Sequence, residues 1–146
     1  MLIKLFTDAA TKNGSGPSAA GVIIVINGKQ IQLKHSLGSI DNHSAEFNAA
    51  IWAFEQLKRY PEIVPDSTIM FYTDSRIVAD AVGKSYAKNF TDLAQRLITL
   101  IDQYHIVLTE WLPEKQNLGA HRLALQALHG NNNQLLQTFT SSFNKI

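Results

Sequence analysis

The chain has 146 residues, of which 45% are apolar and 17% charged, with a formal net charge of +1 and no cysteine. That length suits one domain with its own core. Without cysteine, disulfide frameworks and thiolate metal sites are excluded. So near-neutral a charge excludes a strongly basic nucleic-acid binder, so any nucleic-acid affinity must come from local placement of Lys and Arg.

Met1 leads straight into Leu2-Ile3-Lys4-Leu5-Phe6-Thr7-Asp8, a short apolar strand ending in a polar corner. It has no basic, then apolar, then small-residue leader pattern, and the longest apolar runs, such as Ala19 to Ile26, are far too short to cross a bilayer. A cytoplasmic monomer with no membrane partner is the expectation. Residues 11–18, dense in turn formers, read as a loop. A β-branched strand follows over residues 20–26, and Asn27-Gly28 signals a two-residue hairpin into a third strand over residues 29–37. From residues 41–44 the period changes. Glu46, Ala49, Ala50, Ala53, Phe54 and Leu57 recur at helical spacing, with Asn42 or Ser44 as the cap and a stop before Pro61. Phe47, Trp52 and Phe54 read as core on this helix.

Residues 67–73 read as a fourth strand and residues 75–82 as a helix. The next helix carries Leu93, Leu97, Leu100 and Ile101, with Asp92 in its first turn. Residues 105–111 form a fifth strand ending at Trp111, which packs beside the strand ends. A polar loop over 113–119 precedes a last helix with Leu123, Leu125, Ala127 and Leu128. The polar tail, residues 131–146, reads as a loosely docked helix or a partly disordered segment. There is no repeat, low-complexity block or linker. The order of elements implies a single α/β domain over 1–146, with one mixed sheet flanked by helices.

Two segments share a pattern. Phe6-Thr7-Asp8-Ala9 and Tyr72-Thr73-Asp74-Ser75 each end an apolar strand in Thr-Asp and then a small residue. Ligands gather at the carboxyl ends of strands in α/β sheets. If the first and fourth strands are parallel neighbours, about 4.8 Å apart, Asp8 and Asp74 face one site. Either Asp alone reads equally well as a strand terminator or a helix cap. Glu46 shares a helical stripe with Ala50, Ala53 and Leu57, and a carboxylate on an apolar stripe needs a partner. Carboxylates brought close repel and raise a pKa. A divalent cation removes that cost, and oxygen donors select Mg²⁺ or Mn²⁺.

These residues resemble a known family. Phe6-Thr7-Asp8, then Asn42-His43-Ser44-Ala45-Glu46-Phe47-Asn48-Ala49-Ala50, then Tyr72-Thr73-Asp74-Ser75, then Trp111-Leu112-Pro113-Glu114-Lys115-Gln116-Asn117, look like the signature of type 1 ribonuclease H. The resemblance covers roughly residues 2–128. It implies the ribonuclease H-like fold, with a five-stranded mixed sheet of three antiparallel strands followed by parallel ones. It also implies a two-metal endonuclease cutting the RNA strand of RNA–DNA hybrids, with 5′-phosphate and 3′-hydroxyl products. Asp8, Glu46 and Asp74 match the family's first three metal ligands. Ala9, Asn13, Asn42, Ser75 and Arg76 fall where it touches nucleic acid.

The chain departs from the family pattern in three places. His121 stands where the fourth acidic ligand is usual. As an imidazole ligand it suits softer ions than Mg²⁺, which implies a relative preference for Mn²⁺; the alternative is a helix-surface residue without metal contact. The loop over 113–119 lacks a histidine that many relatives carry, as in the shorter-loop branch. Only Lys84, Tyr86 and Lys88 remain of the basic handle found in some relatives. The missing fourth acid and loop histidine keep open a nucleic-acid-binding module without catalysis. Because fold does not fix function, an exonuclease or a structure-specific DNA nuclease on the same fold stays open too.

Overall fold

The computed structural model describes residues 1–130 and the backbone of residues 134–140. The strands are β1 (Leu2–Thr11), β2 (Ser15–Ile26), β3 (Lys29–Asp41), β4 (Thr68–Thr73), β5 (Ile106–Trp111) and β6 (Gln134–Thr140). The helices are α1 (Asn42–Leu57), α2 (Arg76–Lys84), α3 (Thr91–Ile101) and α4 (Leu118–His129). The sheet order is β5-β4-β1-β2-β3-β6. β1, β2 and β3 form the expected antiparallel meander, while β1–β4 and β4–β5 are parallel.

The sixth strand corrects the reading of the tail. Residues 134–140 pair antiparallel with β3, from Lys29↔Thr140 to His35↔Gln134. This segment, Gln-Leu-Leu-Gln-Thr-Phe-Thr, satisfies its backbone on the outer edge of β3, whose unpaired N–H and C=O groups template another strand. The rest of the tail, 131–133 and 141–146, lies outside the described residues.

Local corrections follow the same logic. The loop expected over 11–18 shrinks to one 3₁₀ turn, Lys12–Gly14. There Asn13 and Gly14 take φ of 57° and 75°, a left-handed pair that lets β1 and β2 stay paired up to Thr11↔Ser18. At Asn27-Gly28 both residues have positive φ, the conformation of a type I′ hairpin turn. The cap of α1 is Asp41, whose Oδ2 accepts from Ser44 N at 2.9 Å; Asn42 and Ser44 lie inside the first turn. α2 runs to Lys84, two residues beyond the expected end, and stops at Ser85 in a left-handed conformation.

One sheet face carries α1, α2 and α3. There Ile3, Leu5, Ile24 and Leu33 of the strands enclose Phe47, Ala50, Phe54 and Leu57 of α1. Phe54 meets Phe71 of β4 edge-on, with ring centroids 5.2 Å apart. As expected, Phe47 and Phe54 are core, while Trp52 is half-buried and stacks on His35. Removing a fully buried ring such as Phe54 would cost about 3–5 kcal/mol.

The other face carries α4 alone, seated over β1, β2 and β3. Its approach depends on Gly21 of β2. A Cβ there would stand 2.0 Å from Ala120 O and 2.6 Å from Ala124 N. Those are backbone atoms, so a side chain fits only if the helix moves. This close seat brings the first turns of α4 over the carboxyl-terminal half of β1. Among the described residues no helix is long and apolar enough to cross a membrane.

Candidate active site

β1 and β4 run parallel in the register Phe6↔Tyr72 and Thr7↔Thr73. Asp8 and Asp74 therefore leave adjacent strands at the same level. α1 starts at the same end of the sheet and presents Glu46 from its first turns. One carboxylate oxygen from each of Asp8, Glu46 and Asp74 lies within 4.8 Å of the others. Three acids separated by up to 66 positions in the chain thus face a common centre.

Their electrostatics match that crowding. The Asp8 side chain is almost fully enclosed, at 3% exposure. Its carboxyl is pushed up to about 7, first by burial and then by the Asp74 charge, against the opposing hydrogen bonds from His121 and the Ala9 amide. Glu46 lies well above the usual carboxylate range, chiefly through burial and then through Asp8 and Asp74, with the Ala9 amide again opposing. Burial is also the main cause of the rise at Asp74. Without a cation, such a cluster retains protons that free carboxylates would lose. A hard divalent ion suits this all-oxygen donor set and would replace those protons.

His121 reaches the cluster from α4. Its Nδ1 lies 2.8 Å from Asp8 Oδ2, and its Nε2 faces Glu114 Oε1 at 3.4 Å. The imidazole thus stands between two carboxylates, bonded to the acid of β1. Asn117 closes the gap between α4 and the strands: it is buried, and its Nδ2 donates to Thr7 O at 2.8 Å. The hydrogen bond between its side chain and Asp74 lowers that acid's pKa.

The residues expected to touch substrate are held in different states. Ala9 follows Asp8 on β1, and its backbone amide serves the two carboxylates. Asn13 stands in the 3₁₀ turn beyond β1, exposed. Asn42 is exposed at the first position of α1. The Ser75 hydroxyl is committed to structure, accepting from Val78 N at 3.2 Å as the cap of α2. Arg76, exposed, opens α2 and lies over the Trp111 ring, with Cζ 3.8 Å from the ring centroid.

Three contributors escaped sequence reasoning: Asn117, Glu114 and the indole N–H of Trp111, which donates to Asp74 O at 2.9 Å. The one available signal was the Trp111–Asn117 stretch that resembles the family's loop, which gave none of these residues a role. Although Asn117 precedes α4, its side chain makes no cap bond and turns instead to β1.

Residues 2–121 match the sequence profile of the RNase H family. The chain belongs to the RNase H family. Among relatives of this RNase H, "Putative hydrolase EbsB" of Enterococcus faecalis is 35% identical, covering 87% of this chain and 94% of that protein. Ribonuclease HI of Synechocystis is 27% identical, covering 94% of each. Among solved structures, RNase H1 of Halobacterium salinarum superimposes with a TM-score of 0.74 at 24% identity, over 88% of this chain and 98% of that one. LC11-RNase H1, solved in complex with an RNA/DNA hybrid, gives 0.76 at 20% identity, over 86% and 96%. These structural likenesses concern the fold: the mixed sheet of β3-β2-β1-β4-β5 with its four helices is that of RNase H.

Proposed function

We propose that this RNase H is a divalent-metal-dependent endonuclease that hydrolyses the RNA strand of RNA–DNA hybrids, leaving 5′-phosphate and 3′-hydroxyl ends. The observation that carries this reading is the convergence of Asp8, Glu46 and Asp74 within 4.8 Å together with their raised pKa values. Three anions held that close in a fold gain little unless a cation joins them.

Asp8, Glu46 and Asp74 would hold Mg²⁺ or Mn²⁺. When bound, the ions supply Lewis acidity at the attacked phosphate, lowering the pKa of the attacking water and neutralising charge on the leaving oxygen. The chain's own residues do the rest. The Ala9 amide steadies Asp8 and Glu46. His121 orients Asp8 through an Nδ1 hydrogen bond; as a fourth ligand it would exchange that bond for the metal, and its nitrogen donor would then tilt the site towards Mn²⁺. Asn13, Asn42, Arg76 and the backbone at Ala9 and Ser75 line the rim where the hybrid would lie. The ribose 2′-hydroxyl is the chemical handle that separates RNA from DNA.

Incubating the protein with a labelled hybrid and Mn²⁺ or Mg²⁺, beside Asp8→Asn, tests this. Metal-dependent cutting of the RNA strand, lost in the variant and absent on duplex DNA, is expected. Binding without cutting in either metal overturns it and favours a binding module. One observation motivates that second reading: one Asp8 oxygen is already engaged by His121.

A further inference from the structure

Trp111 is the last residue of β5 and pairs with Thr73, the last residue of β4. Immediately beyond that pair, Leu112 N donates to Thr73 O at 2.9 Å, and the ladder ends. The next carbonyl of the β4 chain, that of Asp74, receives its donor from the Trp111 side chain: Nε1 lies 2.9 Å from Asp74 O. The same indole offers its face to Arg76, whose guanidinium carbon sits 3.8 Å from the ring centroid. One half-exposed aromatic therefore touches the backbone of a cluster acid with its edge and a cation with its face.

The placement of Arg76 is informative in itself. It opens α2, where the helix dipole disfavours a positive side chain. Among the described residues no carboxylate forms an ion pair with it. Stacking uses the flat face of the guanidinium, whereas its five N–H donors lie in the plane and point outwards. The ring thus fixes the group without consuming a donor, and an exposed guanidinium with a free fork matches the oxygens of a phosphodiester.

We propose that Trp111 is a positioning residue that couples substrate grip to the acid cluster. Its ring holds the Arg76 guanidinium ready for a backbone phosphate of the hybrid, and its N–H fixes the strand end that carries Asp74. The inference deepens the nuclease reading and rests on it. Its two parts separate by atom: the ring face serves binding, and the indole N–H serves the chemical step.

Steady-state cleavage of a labelled hybrid by Arg76→Ala, Arg76→Lys, Trp111→Phe, Trp111→Leu and the double variant Arg76→Ala/Trp111→Leu tests it, with a thermal melt of each. Arg76→Ala should raise KM about tenfold with kcat within about twofold, as expected for loss of a charge-assisted contact. Arg76→Lys, which keeps the charge but loses the planar fork, should recover only part of that. Trp111→Phe keeps a ring and loses the N–H, so kcat should fall about three- to tenfold with KM within about twofold. Trp111→Leu should show both effects, and the double variant should raise KM no further than either single change. Additive KM effects in the double variant, or an unchanged KM in Trp111→Leu, overturn the proposal. If Trp111→Leu melts out, Trp111→Phe and Arg76→Lys decide it: a fall in kcat for the first and a rise in KM for the second support it, and any other result overturns it.

Hybrid binding in EDTA, read by fluorescence anisotropy against salt, needs no catalysis. Arg76→Ala should weaken binding and flatten the salt dependence by about one phosphate contact. If the wild type binds in this way but cuts nothing in either metal, the nuclease reading fails and the Arg76 grip stands. If it cuts and the salt dependence is unchanged in Arg76→Ala, the grip fails and the nuclease reading stands.

Discussion

Asp8 and Asp74 end the same Thr-Asp pattern on parallel neighbouring strands, yet the fold holds them differently. Asp8 is sealed under α4, bonded to His121, and rests on the close approach of that helix to Gly21. Asp74 stands at the rim, half-buried, with its carbonyl tied to Trp111 of β5 and its side chain beside Asn117. Sequence twins thus become an enclosed acid and an accessible one, because different later segments of the chain close over them. The enclosed acid depends on the seat of a helix, and the rim acid depends on a strand end.

Removing either charge breaks the twin relation most sharply. Asp8→Asn and Asp74→Asn should each lower hybrid cleavage by on the order of 10³-fold, as expected when a metal-holding carboxylate is lost. Only Asp8→Asn should also raise the melting temperature of the metal-free protein, since it removes the more heavily buried charge. Cleavage and thermal melts on the two variants check both points.

Gly21→Ala should separate the two acids without touching either. Its Cβ drives α4 off the sheet at a cost of about 1–3 kcal/mol. His121 moves with the helix while Trp111 and α2 stay in place. A lower melting temperature with metal affinity reduced about tenfold, and the Arg76-dependent binding in EDTA intact, is the expected outcome. Loss of both together would show that the two halves are not independent.

Asp8 also makes stability depend on pH. The Asp8 carboxyl is raised from 3.8 to about 7 in the folded state, so the native protein keeps a proton that the unfolded chain has released. Its contribution to stability is fully present below about pH 4 and is lost as pH rises to about 7. Asp41, held below its ordinary value by Ser44, acts in the opposite sense at the acid end, which makes the difference between wild type and Asp8→Asn the clean measurement. In the absence of metal the variant should gain stability over wild type between pH 5 and pH 8. Mn²⁺ or Mg²⁺ should raise the wild-type melting temperature more at pH 8 than at pH 5. A flat difference across that range would count against the electrostatic account of the cluster.

The smallest effect concerns metal choice. His121→Asp exchanges a nitrogen for an oxygen next to Asp8 and should move the ratio of Mn²⁺- to Mg²⁺-supported cleavage towards Mg²⁺ by roughly tenfold. Single-turnover rates in each metal check it, and an unmoved ratio would remove His121 from the ligand set.

Much of this is legible in the sequence. The spacing of Ala49, Ala50, Ala53 and Leu57 announces α1, Asn27-Gly28 announces its hairpin, and the repeated Thr-Asp points to one site at the strand ends. Local chemistry decides these features, and local chemistry is written in consecutive residues. The cap of α1 shows the limit: Asp41, Asn42 and Ser44 are all competent, and which one caps depends on where β3 ends. The tail shows it more strongly. Residues 134–140 have no periodicity that demands a strand, and they become one because β3 offers an unpaired edge. The neighbours of the acids were legible only in outline. The family resemblance put His121 at the site and the strand pattern put Trp111 beside it, but the bonds themselves join His121 to Asp8 across 113 positions and Trp111 to Asp74 across 37.

By itself, the order of residues determined which segments form helices and strands, which faces are apolar, and which side chains carry charge at the strand ends. Only the tertiary structure decided that α4 sits close enough to bond His121 to Asp8, that Trp111 ties Arg76 to the end of β4, and how far burial raises each carboxyl. The reason is that the field at an acid depends on every group packed around it in space, and those groups are brought there by packing rather than by proximity along the chain.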